Sequence, residues 1–169
     1  MIKKILLALV IIIPATWIGL TIYVMATDDL EGLMICSTSD EAYRIPKSVC
    51  EYYTLHFRGT KDDIAQLEKG IGISFVFGDE KKRATFLNFL LDKGANINLI
   101  SPLDGMTPLH AAVFDNDPEL VKFLLDRGAD PTIRKGKGFS SATNVDNMTP
   151  LEMLNKMEEN RPGLTAKNS

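Results

Sequence analysis

The chain has little of what enzymes use for chemistry. Two histidines and two cysteines among 169 residues are too few and too scattered for a Cys/His zinc site. No H-E-x-x-H and no G-x-S-x-G occurs, and no phosphate loop is complete. Gly136-Lys137-Gly138-Phe139-Ser140 has the composition of such a loop but lacks the spacing, the preceding strand and the following helix. These absences leave no catalytic residue, no metal ligand set and no cofactor to name. A basic excess is missing too. The formal net charge is −3, and setting aside Lys3 and Lys4 leaves 17 basic against 22 acidic residues, a balance of −5. A mildly acidic body argues against nucleic acid as the main partner.

Charge is absent altogether from Ile5 to Ala26, a run of 22 residues behind Met1-Ile2-Lys3-Lys4. Roughly 20 apolar residues span a bilayer as a helix. A cleaved secretory signal carries an apolar region of only about 7–15. The length favours a retained anchor over residues 1–26, with Pro14 and Gly19 tolerated inside it. Cleavage after Ala26 is the competing reading, since Val24-Met25-Ala26 ends in a small residue. Both readings carry the body out of the cytoplasm. Lys3 and Lys4 hold the start inside, and Asp28, Asp29 and Glu31 follow on the far side.

Cys36 and Cys50 stand 14 positions apart. In an exported chain an even cysteine count suggests a disulfide between them, and two separate buried thiols are the alternative. Residues 27–47 read as a polar connector with little periodicity. Ser48 to Phe57 and Lys61 to Lys69 then read as a helix pair, broken by Gly59-Thr60.

Downstream the signals sharpen. Asp104-Gly105 supplies a tight turn, Thr107 caps a helix, and Pro108 occupies the first helical position. Ala111 and Ala112 give that helix a slim face. Asp117-Pro118 repeats the cap-then-proline signal, and Leu120, Val121, Leu124 and Leu125 form an apolar stripe at helical spacing. Gly128 lies where a left-handed C-terminal residue is wanted.

These residues, Thr107-Pro108-Leu109-His110-x-Ala112 above all, closely resemble the ankyrin repeat, whose unit is about 33 residues. The resemblance implies an all-α solenoid of about four helix-turn-helix units, here over residues 48–163. Each unit buries its stripe only by stacking on its neighbours. Phe86 to Asn96 parallels Leu120 to Asp130 with a 34-residue register, and that register implies an inner helix over Ile71 to Gly78. The signature returns at Thr149-Pro150, where Glu152 completes a capping box and the family's histidine is absent. The final helix is mostly polar, as a terminal unit requires, and 164–169 reads as a flexible tail. In the family, the histidine at the position of His110 supports the turn through hydrogen bonds. Thr107, Pro108, Leu109, His110, Gly128, Thr149 and Pro150 are therefore expected to be structural.

From Gly94 to Thr107 is 13 positions, whereas from Gly128 to Thr149 is 21, so the last connection carries 8 extra residues. Long loops in compact repeats are often functional. Turn tips and inner helices line the binding face of ankyrin proteins, which makes Leu103, Asp104, Met106, Lys135, Lys137 and Phe139 the expected partner contacts. The resemblance extends to exported bacterial ankyrin-repeat immunity proteins. It implies a non-catalytic, unbound-monomeric binder of a secreted lipase-type toxin, tethered to the inner membrane with its repeats in the periplasm. The alternative is an envelope scaffold that binds a resident enzyme.

Overall fold

The computed structural model describes residues 2–38, 45–70, 72–73, 80–138 and 145–160, and the regular structure among them is helical. The helices are α1 (Ile2–Thr27), α2 (Leu30–Thr38), α3 (Lys47–Phe57), α4 (Lys61–Lys69), α5 (Glu80–Asp92), α6 (Pro108–Phe114), α7 (Pro118–Asp126) and α8 (Pro150–Asn160). They fall into two units, Met1–Arg58 and Gly59–Ser169.

In the first unit α1 is 26 residues long, or about 39 Å at 1.5 Å per residue, against about 30 Å of bilayer hydrocarbon. It is the one helix among the described residues long and apolar enough to cross a membrane. Ile11, Ile12, Trp17, Ile18, Leu20 and Ile22 all stand exposed around it. Its threonines are chemically quiet. The hydroxyls of Thr16, Thr21 and Thr27 donate to the carbonyls of Ile13, Trp17 and Tyr23 at 2.8, 2.9 and 2.9 Å. Each folds its polarity back onto the helix.

The stretch expected as a connector contains α2. Leu30, Leu33, Met34 and Ser37 recur at helical spacing and are buried, and the Asp29 carboxylate accepts the Gly32 amide at 2.7 Å. Short length and flanking polar residues hide that periodicity in the sequence. Helix α3 packs against α2, burying Cys50 and Thr54, one turn apart. Cys36 and Cys50 are joined by a disulfide with Cα atoms 5.9 Å apart. Arg58 closes the unit by donating to the carbonyls of Met25 at 3.1 Å and Asp28 at 2.8 Å.

The second unit is built from repeated caps and stops. Thr60 with Asp63, Thr107 with His110 and Thr149 with Glu152 each form reciprocal capping boxes at the starts of α4, α6 and α8. Asp117 caps α7 by accepting the Leu120 amide at 2.9 Å. Gly94 and Gly128, 34 positions apart, end α5 and α7 with φ of 93° and 91°. Further register pairs recur: Asn96 accepts the Asn98 amide, and Asp130 accepts the Thr132 amide, in matching turns. Asn98 also accepts the Asp130 amide at 2.8 Å, linking one turn to the next.

Helix α6 lies against both α7 and α8. On one side Leu109, Ala112, Leu124 and Ala129 form a buried cluster; on the other Met106, Val113, Val145 and Met153 form a second. Leu124 is fully covered, but Leu125, expected on the same stripe, is 43% exposed. The stripe is narrower than its four leucine and valine positions suggest. The helix expected over Ile71 to Gly78 lies outside the described residues, apart from Gly72 and the buried Ile73. The expected tail over 164–169 also lies outside them.

Replacing Cys36 and Cys50 by Ala removes a 14-residue loop constraint, which stabilises by about 3 kcal/mol in the chain-entropy model. Amide exchange in α2 and α3 is expected to accelerate by about a hundredfold. Unchanged protection of those amides would show that packing alone holds the helix pair.

Candidate partner-binding face

The turn before α6 is a small closed finger. The Ser101 amide donates to the Met106 carbonyl at 2.8 Å and the Gly105 amide returns to the Ser101 carbonyl at 2.9 Å. The Asp104 carboxylate accepts the Met106 amide at 2.9 Å, and Gly105 takes φ 74°. The next finger repeats this plan 34 residues on. The Lys135 amide donates to the Met148 carbonyl at 2.8 Å, the Asn147 amide donates to the Lys135 carbonyl at 3.0 Å, and Asn147 takes φ 61°. Asparagine stands here for glycine because its short polar side chain tolerates the left-handed region.

The paired residues lie 5 positions apart in the first finger (101 and 106) and 13 in the second (135 and 148). The 8 additional residues therefore all fall at the second fingertip. The two fingers touch. The Gly136 amide donates to the Gly105 carbonyl at 2.7 Å, and a Cβ on Gly138 would overlap the Asp104 backbone. Glycine is required there by close approach.

His110 joins the fingers to the helices. It is fully buried, and its Nδ1 accepts from the Thr107 hydroxyl at 2.8 Å and from the Thr107 amide at 3.3 Å. That arrangement assigns the proton to Nε2, which donates to the Met148 carbonyl at 2.9 Å. The imidazole is thus neutral, and burial holds its pKa below the ordinary histidine value; the charge of Lys135 acts the same way, against the hydrogen bond to Met148.

The second finger is braced by charge at its base. The Lys135 side chain is 0% exposed, with its ammonium 2.6 Å from the Asp146 carboxylate and 3.4 Å from the Gly136 carbonyl. Arg134 donates to the Asn147 carbonyl at 2.6 Å and forks onto Glu152 at 2.9 and 3.2 Å. Glu152 is held below the ordinary carboxylate range, first by the Thr149 amide and then by Arg134.

The six expected contacts are distributed unevenly. Leu103 is 38% exposed and Lys137 is exposed. Asp104 is half-buried and occupied with the Met106 amide. Met106 and Lys135 are buried, Met106 in the core under α6 and α8, so these two hold the fingers and offer no side chain to a partner. Phe139 lies outside the described residues. Ile100, which the sequence reading passed over, is 40% exposed and sits beside Gly136. Nothing in the run Leu99-Ile100-Ser101-Pro102-Leu103 marks which of its apolar residues stays outside. Ile100, Leu103 and Lys137 are thus accessible side chains of the face among the described residues. No group of three metal-ligating side chains occurs among the described residues.

Residues 104–136 match the ankyrin repeat family. The chain is 47% identical over 49 residues to a human 2-5A-dependent ribonuclease, which covers 29% of this chain and 7% of the ribonuclease. It is 31% identical over 86 residues to an ankyrin repeat protein of Borreliella burgdorferi, covering 50% of this chain and 18% of that protein. It is 46% identical over 52 residues to the human BCL-6 corepressor-like protein 1, covering 31% and 3%. The chain spans less than a fifth of the length of these relatives. No solved structure matches. The regular structure among the described residues is helical, residues 104–136 of it match an ankyrin repeat, and ankyrin repeats imply a protein-binding module.

Because the unfolded chain's histidine titrates near about 6.5 and the folded one lower, the unfolded state holds more protons between the two values. Stability is full above that window and falls as pH drops through it. Thermal melts from pH 8 to 5 are expected to show this loss, and His110→Gln is expected to flatten that part of the profile.

At the finger base, Asp146→Asn weakens the partner of a covered ammonium and is expected to cost about 1–3 kcal/mol in urea unfolding. A change within a few tenths of a kcal/mol would mean that the other contacts of Lys135 suffice.

Proposed function

We propose that this chain is a non-catalytic protein-binding module on the outer face of a bacterial inner membrane, and that it serves as an immunity protein against an exported toxin of the phospholipase class. The observation that carries the binding reading is the pair of touching, braced fingers. They present Ile100, Leu103 and Lys137 next to an eight-residue insertion. Rigid turns that hold an apolar side chain and a free-standing cation suit a protein surface better than a small molecule.

The compartment is supported by two independent features. The uncharged run from Ile5 to Ala26 follows two lysines, and acidic residues come after it. The Cys36–Cys50 disulfide suits an oxidising environment. The immunity role rests on the resemblance to exported bacterial ankyrin proteins of that kind. A tether beside the bilayer would set the inhibitor where a phospholipase acts. The human ribonuclease shares only 7% of its length with this chain, so its activity carries nothing over.

The test is capture of the full-length chain from detergent-solubilised envelopes of the source cell, with bound proteins identified. One stoichiometric exported toxin, whose activity the chain abolishes, is the expected result. A resident envelope enzyme as sole partner would replace immunity with scaffolding. With the partner in hand, Leu103→Asp combined with Lys137→Glu is expected to weaken binding by about tenfold or more while helicity is unchanged. Full affinity in that variant would move the interface elsewhere.

A further inference from the structure

Helix α3 presents a largely exposed aromatic face. Val49, Tyr52, Tyr53 and His56 recur at helical spacing, and Phe57 completes the stripe one turn after Tyr53. Cys50 and Thr54, about a third of a turn round the helix, are buried where α3 packs on α2. Val49 is 40% exposed, Tyr52 57% and Phe57 61%. The rings are organised among themselves. Tyr52 stacks on His56 with centroids 4.1 Å apart, Tyr53 on Phe57 at 5.3 Å, and Tyr52 meets Phe57 edge-on at 6.2 Å. Such a contiguous apolar face on a soluble surface marks an interaction site.

Its position in the unit says what covers it. Arg58, directly after α3, donates to the carbonyls of Met25 and Asp28, so the end of α3 is pinned to the end of α1. The other end is tied to α2 by the disulfide. At about 1.5 Å per residue, the stripe from Tyr52 to Phe57 lies within about 9 Å of Arg58 along the helix axis. The polar region on each side of the hydrocarbon is about 5–8 Å deep. With α1 across the bilayer, Arg58 would hold the Phe57 end of the stripe beside the outer end of α1, next to headgroup depth. Its chemistry suits that depth: tyrosine and histidine combine an apolar ring with a polar edge, as residues of interfacial belts do.

We infer that the Val49–Phe57 face of α3 rests in the outer headgroup region of the bilayer, making α3 an interfacial helix stapled to the membrane helix by Arg58 and, through α2, by the disulfide. This rests on α1 spanning the membrane. It adds a second, shallow contact that the anchor alone does not supply.

The chain's single tryptophan, Trp17, lies in α1 and gives the experiment its internal reference. The full chain is reconstituted into phosphatidylethanolamine–phosphatidylglycerol vesicles. Some carry bromine near the headgroups and others near the chain ends. Two reporters are made, each with Trp17→Phe: Tyr52→Trp and Phe57→Trp, both at exposed positions that need no repacking. The expected result is that Trp17 in the unaltered chain is quenched most by deep bromine, whereas both reporters are quenched most by shallow bromine. Deep quenching of Trp17 with no lipid quenching of either reporter would overturn the inference and leave the membrane span standing. Absence of quenching at all three positions would overturn the span and the inference with it. A reporter shielded only at high protein-to-lipid ratio, without bromine quenching, would assign the face to a second copy of the chain and overturn the lipid contact.

Discussion

One buried neutral imidazole fixes the geometry on which the candidate face depends. His110 is part of its own helix cap through Thr107 and reaches the Met148 carbonyl, 38 positions away, with the opposite ring nitrogen. The same Met148 carbonyl accepts the Lys135 amide that closes the second finger. A single side chain thus connects the start of α6, the base of the second finger and the approach to α8. It can do so only while neutral, because Nδ1 must accept as Nε2 donates. The arrangement also explains why charge nearby is balanced locally. Lys135 sits covered beneath the finger, paired with Asp146, and Arg134 is shared between Asn147 and Glu152.

The repeat itself was legible because its signals are local. Thr107-Pro108, Asp117-Pro118 and the glycines at 94 and 128 each dictate backbone geometry within a few residues, and each lies at the helix end or start that its chemistry demands. The arithmetic of spacing was as informative. Eight surplus residues counted from sequence reappear as the difference between two matching backbone pairs, and so are confined to one fingertip. What sequence could not supply was the fate of individual side chains in those turns. Lys135 and Lys137 are two positions apart in the same basic stretch, yet one is fully covered and the other exposed. The covered Lys135 pairs with Asp146, 11 positions on, which no local pattern announces. Met106 and Ile100 show the same limit from the apolar side, one taken into the core and the other left outside.

The first unit was less legible for a different reason. Helix α2 is short, and flanking acidic and hydroxyl residues dilute its apolar positions, so periodicity alone gives a connector. Its stability comes from tertiary partners: the packing of α3, the disulfide and the Arg58 contacts. Nine residues of helix would be marginal alone. The cysteine pair was visible as a pair, but its function as a staple between two packed helices depends on a helix that the sequence did not declare.

The two units carry opposite kinds of surface logic. In the repeats, the exposed large apolar residues stand singly, Ile100 and Leu103 at a turn and Phe114, Leu125 and Leu151 on separate helices, and polar groups are consumed in caps and finger bases. In the first unit many exposed residues are large apolar ones, from Ile11 to Tyr23 on α1 and Val49, Tyr52 and Phe57 on α3. A soluble domain leaves such faces bare only where something other than water meets them. Threonine hydroxyls turned inward along α1, and a guanidinium spent on carbonyls at its end, remove the polar groups that would otherwise resist an apolar surrounding. The division follows from this chemistry: one unit turns large apolar side chains outward, and the other spends its polar groups on holding two touching fingers in place.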